Sequence, residues 1–224
     1  MKIIALSDIH GNLIKIKNSS DVVIIAGDWS PLEIQHNSKL MLHWINSKFI
    51  PWLKELNTEN VIFIPGNHDL VCTLKSFNNI IDTIISNNGA TNKIYYLNHN
   101  FTILNNKKFY GMPDNESPSC WAFANQYHQN YNFDNDTDIL ITHQPPRIGD
   151  VGYVKIYNRD LGSINLRDKI MNSNIELNIC GHIHTGDHKC QPIMLNNGKL
   201  ASVYNVSILD EDYEIAYKPT VIRI

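Results

Sequence analysis

The chain alternates short, unbroken apolar runs with longer mixed stretches, and the runs stop at glycine, aspartate, asparagine or histidine. Lys2–Ser7, Val22–Ala26, Val61–Ile64, Asp138–Thr142 and Ile175–Cys180 are runs of this kind. They are rich in β-branched residues and lack polar alternation, which predicts strands buried on both faces, as in parallel sheets. Between them the period changes. Met41, Trp44, Ile45, Phe49, Trp52 and Leu53 recur at helical spacing within about Ile34 to Leu56, which predicts an amphipathic helix kinked or split at Pro51. Phe77 to Ser86 and Leu161 to Ser173 predict further helices, the first stopped by Asn87-Asn88-Gly89.

Three short runs, Ile94–Leu97, Phe101–Leu104 and Lys108–Gly111, are separated by turn residues and predict consecutive antiparallel strands. Cys190–Leu195 and Leu200–Val206 predict a hairpin about Asn196-Asn197-Gly198, and Tyr217–Ile224 a final strand. Met112 to Tyr131 is aromatic and irregular, the stretch best suited to wall a pocket. No repeat, linker or low-complexity segment breaks this order. The expectation is an α/β protein with a single domain over 1–224.

A hydrophobic content of 43% is ample for a core. The net charge of −3 provides no basic field for a long nucleic acid, whereas a small anionic ligand is compatible with it. Met1-Lys2-Ile3-Ile4-Ala5 leads straight into a strand without a leader pattern, and no stretch is long and apolar enough to span a membrane. The cysteines (Cys72, Cys120, Cys180, Cys190) are scattered with no C-x-x-C pair, which suits a reducing cytoplasm.

The strand ends carry the chemistry. The first run ends in Asp8-Ile9-His10, the second in Gly27-Asp28, and the third in Pro65-Gly66-Asn67-His68-Asp69. The fourth delivers His143, and the fifth Gly181-His182-Ile183-His184. Each ending alone serves equally as a turn or a helix cap. Five together, offering imidazole, carboxylate and amide but no thiolate, point to a metal site at the carboxyl edge of a sheet. Such mixed ligands suit Mn²⁺, Fe²⁺/Fe³⁺ or Zn²⁺. They exceed what one tetrahedral ion with an open position needs, so two divalent metal ions are expected.

This order of motifs resembles the calcineurin-like metallophosphoesterase superfamily across nearly the whole chain. The resemblance implies a four-layer α/β/β/α sandwich of two mixed β-sheets flanked by helices. It assigns Asp8, His10, Asp28 and His184 to one metal and Asp28, Asn67, His143 and His182 to the other, with Asp28 bridging. His68 becomes the acid and phosphate-orienting group, and Asp69 the residue that holds its imidazole. Two cations roughly 3.5–4 Å apart can clamp a phosphoryl group and hold a bridging hydroxide for in-line attack. A positioned histidine then protonates the leaving group, worth about 10²–10⁴-fold.

Within that superfamily, Asp8-Ile9-His10-Gly11-Asn12 looks like the opening of protein phosphatases and dinucleoside tetraphosphate hydrolases. Their GD-x-x-DRG block is absent, since Gly27-Asp28 is followed by Trp29-Ser30-Pro31. Tyr110-Gly111-Met112-Pro113, Thr142-His143-Gln144-Pro145-Pro146, Gly181-His182-Ile183-His184-Thr185-Gly186 and Asn205-Val206-Ser207 resemble instead the metallophosphoesterase-domain-containing proteins, relatives of class III cyclic-nucleotide phosphodiesterases. Gln144 and Arg147 depart from that pattern. Arg147 is either a charge-assisted donor to a phosphate oxygen, alongside Asn67 and His68, or a solvent-facing loop residue. Trp29 and Trp121 offer faces to a nucleobase or to the core. His36, His43, His99, His128 and His188 read as surface or helix-face residues. The expected function is a phosphodiesterase for a small phosphodiester or nucleotide, acting as a monomer or homodimer. A phosphomonoesterase or nuclease on the same site, or a non-catalytic scaffold, is the alternative.

Overall fold

The computed structural model describes residues 1–86, 92–124 and 131–224. The apolar runs become the inner strands of two sheets. The first sheet holds β1 (Lys2–Leu6), β2 (Ser20–Ala26), β3 (Thr58–Ile64) and β4 (Lys93–Tyr96), all parallel, with β13 (Thr220–Arg223) antiparallel beside β1. The second holds β5 (Asn100–Leu104), β6 (Lys107–Met112), β7 (Ile139–Thr142), β10 (Leu177–Cys180), β11 (Gln191–Met194) and β12 (Leu200–Asn205). Its order is β11-β12-β10-β7-β6-β5, parallel at the centre and antiparallel at both edges. A two-residue pair, β8 (Tyr153–Val154) and β9 (Arg159–Asp160), stands apart.

Burial on both faces of the central strands creates three cores. Ile3, Ala5, Ile24 and Ile62 of the first sheet meet Phe109, Ile139, Ile141 and Ile179 of the second between the sheets. Their alternates Ile4, Leu6, Val23, Ile25 and Phe63 face α1 (Ser38–Trp44), α2 (Ile50–Glu55) and α3 (Phe77–Ser86). On the far side, Leu140, Cys180 and Val203 pack with Leu166 and Ile170 of α4 (Ile164–Met171). The layers therefore run α/β/β/α, as the resemblance implied.

Three expectations change in detail. The helix over 34–56 starts later, after Asn37, whose side chain caps Leu40 N–H at 3.1 Å, and it is split by a π-helical turn at Ile45–Phe49 just before Pro51. Widening the helix there accommodates a proline ring that lacks an N–H to donate. The strand over 94–97 does not form a meander with its successors: it pairs parallel with β3, and the chain then crosses to the second sheet. Finally, α4 begins at Ile164, because the Ser163 hydroxyl accepts from Leu166 N–H and caps it there. The Asn87-Asn88-Gly89 stop and the 125–130 part of the aromatic loop, His128 included, lie outside the described residues.

Registers bring the strand ends level. Leu6 lies beside Ile25, Ala26 beside Ile64, and Cys180 beside Asn205. At that edge the two sheets are stitched together, with Ser7 N–H donating to Val206 at 2.9 Å and Ile208 N–H to Ser7 at 3.1 Å. The residues just past each strand thus emerge on a common seam.

Candidate metal centre

Seven expected ligands meet at this seam. Asp8, His10 and His184 form one group; Asp28, His143 and His182 form a second; and His10, Asp28 and His68 link the two, with ligand atoms in each group within 4.8 Å of one another. Asn67 joins the second group through its Oδ1, which accepts from His143 Nε2 and His182 Nδ1, both at 2.8 Å. The backbone is bent to achieve this convergence. Asp8, His10, Asp28 and His182 all take positive φ (55°, 40°, 52° and 70°), a region that costs non-glycine residues about 1–3 kcal/mol each. Gly27, at φ 96°, is placed where any side chain would strike the His143 ring, so it cannot be replaced without moving a ligand.

Neighbouring groups aim the ligands. His143 Nδ1 donates to Ala26 O at 3.0 Å, which turns Nε2 toward Asp28 Oδ2 at 3.2 Å. His184 Nδ1 donates to Asp210 O at 2.8 Å, and its Nε2 faces Asp8 Oδ1 at 3.6 Å. Ser207 Oγ donates to Asp8 Oδ2 at 2.5 Å, and His68 N–H to Asp28 Oδ1 at 2.8 Å. The Asn205 amide donates to Ile183 O at 2.7 Å and fixes the loop between the two histidines. A backbone or side-chain partner behind a ligand sets its tautomer and direction.

The donor set fits divalent cations. His10 is 7% exposed, yet neither ring nitrogen has a hydrogen-bond partner among the described residues. A buried imidazole is normally satisfied, so this one is left open to a partner that the described residues do not supply. Burial holds His10 and His182 down at about 4, leaving neutral rings with lone pairs. Burial opposes charge on Asp8 and Asp28 as well, but His184 and His143 beside them hold both carboxyls well below the usual range. In return His143 and His184, despite burial, are raised to about 9 by Asp28 and Asp8 respectively. Buried anions and lone pairs that here lean on protons are what a cation would take.

His68 sits half-buried at the rim. Its ring lies edge-on to His10 at 4.8 Å and tilted against Trp121 at 4.4 Å, and its Nδ1 bonds to Gln35 Oε1 at 2.9 Å. The imidazole is therefore held by Gln35, not by Asp69 as expected. The Asp69 carboxylate instead accepts from the N–H groups of Gly66 (2.7 Å), Asp28 (2.9 Å) and Ser30 (2.9 Å), tying two strand-end turns together. Burial and the nearby Asp28 push it up to about 7. Arg147 also departs from the phosphate-binding expectation: its guanidinium donates to Gly162 O at 3.2 Å and Asp160 O at 2.9 Å and clamps its own loop. Gln144 joins that region, accepting from Glu116 N–H and donating to Leu161 O. Trp29 is fully buried, stacked on Phe49 at 4.7 Å, and belongs to the core. Of these two tryptophans, Trp121 is the one that reaches the site, against His68.

Sequence reasoning missed Gln35, Ser207 and the Asp210 carbonyl. Gln35 and Asp210 carry no spacing signal, because a loop residue that meets a partner distant in sequence leaves no periodic trace. Ser207 stood in a motif, Asn205-Val206-Ser207, that could have flagged it.

Two facing mixed sheets with carboxylate, imidazole and amide ligands converging on their shared edge define a metal-dependent hydrolase of the metallophosphoesterase class. The family model for calcineurin-like phosphoesterases matches residues 1–186, and the chain belongs to that family. Among solved structures it is similar to the phosphopantetheinyl hydrolase PptH from Mycobacterium tuberculosis, with a TM-score of 0.52 and 14% identity over 92% of this chain and 89% of that one, a likeness of fold. No curated protein matches the chain.

Proposed function

We propose that the protein is a two-metal phosphodiesterase for small phosphodiesters, with cyclic and related nucleotides as the leading substrate class, close to the metallophosphoesterase-domain-containing branch. The observation that carries this reading is the pair of ligand groups on either side of Asp28, with His68 at their rim yet held by Gln35. The coordination sets proposed from them are Asp8, His10, Asp28 and His184 for one cation and Asp28, Asn67, His143 and His182 for the other. Divalent cations bound there, Mn²⁺, Fe or Zn²⁺, would neutralise phosphoryl charge and acidify water to a pKa of about 7.

The chain's own groups do the rest. Asn67 and His68 lie beside the phosphoryl position and orient its oxygens. Gln35 accepts the Nδ1 proton of His68, so Nε2 is the nitrogen presented to the departing oxygen. In hydrolysis the water oxygen bonds to phosphorus as its proton passes to solvent, and the phosphorus–oxygen bond to the leaving group breaks. His68 acts as the imidazolium, keeps Nδ1–H on Gln35 and gives its Nε2 proton to the alkoxide, a release that burial favours by lowering its pKa. Trp121 covers one face of His68 and limits solvent there. The Arg147 guanidinium is committed to its loop and not to selecting a phosphate dianion, which supports a diester over a monoester. The net charge of −3 supports a small substrate over a long nucleic acid.

The test is hydrolysis by metal-reconstituted protein of bis-p-nitrophenyl phosphate against p-nitrophenyl phosphate, followed by 2′,3′- and 3′,5′-cyclic nucleotides. The diester is expected to have the higher kcat/KM. A preference for 5′-nucleotide monoesters over every diester would overturn the reading while leaving the two-metal site standing.

A further inference from the structure

The last turn of the chain brings a side chain to the metal centre that neither the ligand groups nor His68 accounts for. Leu209 and Ile215 bridge antiparallel, and Asp210 closes the turn between them. Its carboxylate accepts from the N–H groups of Asp212 and Glu214, each at 3.0 Å. Its own N–H donates to Glu214 O at 2.9 Å, and its carbonyl accepts from Tyr213 N–H at 3.1 Å. That same carbonyl receives His184 Nδ1–H, so turn and ligand share an atom. Tyr213 is held at φ 61°, a conformation that a bulky aromatic rarely adopts. The result is a ring directed over the site: its edge-on contacts are with His10 at 5.1 Å and His184 at 5.2 Å, two ligands of one group.

Open space lies on both sides of that ring. One cavity, about 300 Å³, is lined by Ile156, Tyr157, His184 and Glu211. The other, about 480 Å³, is lined by His10, Asn12, Glu33, Trp44 and Glu214. Tyr213 belongs to both walls. Each is at the small end of the range for small-molecule sites, about 300–1,000 Å³, large enough for one substituent of a phosphodiester. We propose that Tyr213 is a substrate-positioning residue that parts the approach to the metal centre into two arms, so that a phosphodiester seats one organic substituent on each side of its ring.

The inference rests on the phosphodiesterase reading and refines it. A monoester occupies one arm and gains nothing from the divider, whereas a diester is oriented by it. The arms differ in chemistry. Ile156 and Tyr157, both about two-thirds exposed, offer apolar and aromatic surface to a planar group such as a base. Glu33, Glu214 and Asn12 suit a hydroxyl-bearing substituent that donates hydrogen bonds, and the two carboxylates repel a second phosphate.

The test separates positioning from metal binding by using unreactive probes. Diphenylphosphinate carries two aryl groups on phosphorus and phenylphosphonate one; both have carbon–phosphorus bonds that resist hydrolysis. Calorimetric titration of the metal-loaded wild type, Tyr213→Ala and Tyr213→Phe is combined with measurement of metal content. Tyr213→Ala is expected to keep its metals and bind diphenylphosphinate about tenfold more weakly, the loss of a well-placed aromatic contact, with phenylphosphonate unchanged. KM for bis-p-nitrophenyl phosphate should rise by a similar factor while kcat holds, and Tyr213→Phe should behave as wild type. Tyr213→Gly, which accepts the positive φ, carries the comparison if the alanine variant fails to fold. Equal weakening of both probes, or loss of metal, would overturn the proposal and reduce Tyr213 to a support for His184. A wild-type preference for monoesters would instead defeat the phosphodiesterase reading, an outcome the probe pair registers separately.

Discussion

Asp28 stands between the imidazoles of the centre, because its two oxygens point to different partners. Oδ1 accepts from His68 N–H at 2.8 Å, while Oδ2 lies 3.2 Å from His143 Nε2 and 3.9 Å from His10 Nε2. Removing the carboxylate leaves the His143 imidazole without its counter-charge and takes a donor from both proposed coordination sets. Asp28→Ala is expected to purify with its metal content greatly reduced and with activity at background; full metal occupancy in that variant would rule out the bridging assignment. His68 tests the other half of the chemistry. Because it is held by Gln35 and Trp121 and stands outside both proposed coordination sets, His68→Ala should keep its metals and lose about 10²–10⁴-fold in rate. The loss should be smaller with a p-nitrophenolate leaving group, which needs little protonation. Equal losses on p-nitrophenyl and alkyl esters would mean that His68 orients phosphate without transferring a proton.

The turns after β1, β2 and β3 hold these side chains, and Asp69 shows how. Its carboxylate is fully buried and accepts three backbone N–H groups from two turns. Asp69→Ala strands those donors, each unsatisfied group costing about 1–3 kcal/mol. Chemical denaturation should therefore show a loss of roughly 3 kcal/mol or more. His68→Ala should change stability far less. A variant at 69 that keeps its stability and loses only kcat would restore the role expected from sequence, an orienter of His68. That misreading has a physical source: adjacency in the chain suggested a contact, but the turn after Gly66 sends Asp69 inward and His68 to the rim. What could be read were the strands and their endings, since burial on both faces leaves continuous apolar runs and ligand types stand directly beyond them. The destination of 94–97 could not be read. Its turn residues announce a reversal, but pairing with β3 depends on Phe63 and Tyr96 meeting across the sheet, a contact that no local pattern encodes. Gln35 was hidden for a related reason, since it fell within an expected helix that the Asn37 cap begins later.

The centre is also a joint in the architecture. Asp8, Asp28 and Asn67 follow strands of the first sheet, whereas His143, His182 and His184 follow strands of the second. Apolar packing holds the sheets face to face, but at this edge they meet through polar groups: the backbone pairing of Ser7 with Val206 and Ile208, and the ligand groups themselves. The group of Asp8, His10 and His184 and the group of Asp28, His143 and His182 each draw on both sheets, so a cation bound in either ties them together and binds the native state in preference to the unfolded chain, where the ligands are scattered from residue 8 to residue 184. By linkage, free metal at about a hundred times its dissociation constant adds about 2.7 kcal/mol. For a chain of this size that corresponds to a rise in Tm of roughly 5–10 °C. Thermal unfolding should therefore show a lower midpoint in chelator and recovery on adding Mn²⁺ or Zn²⁺. Asp28→Ala should lose most of that metal-dependent increment, and His68→Ala should retain it. A midpoint that ignores chelator in the wild type, with metal demonstrably removed, would mean that the sheets are joined by their apolar interface alone and that the ligand edge contributes nothing to holding them.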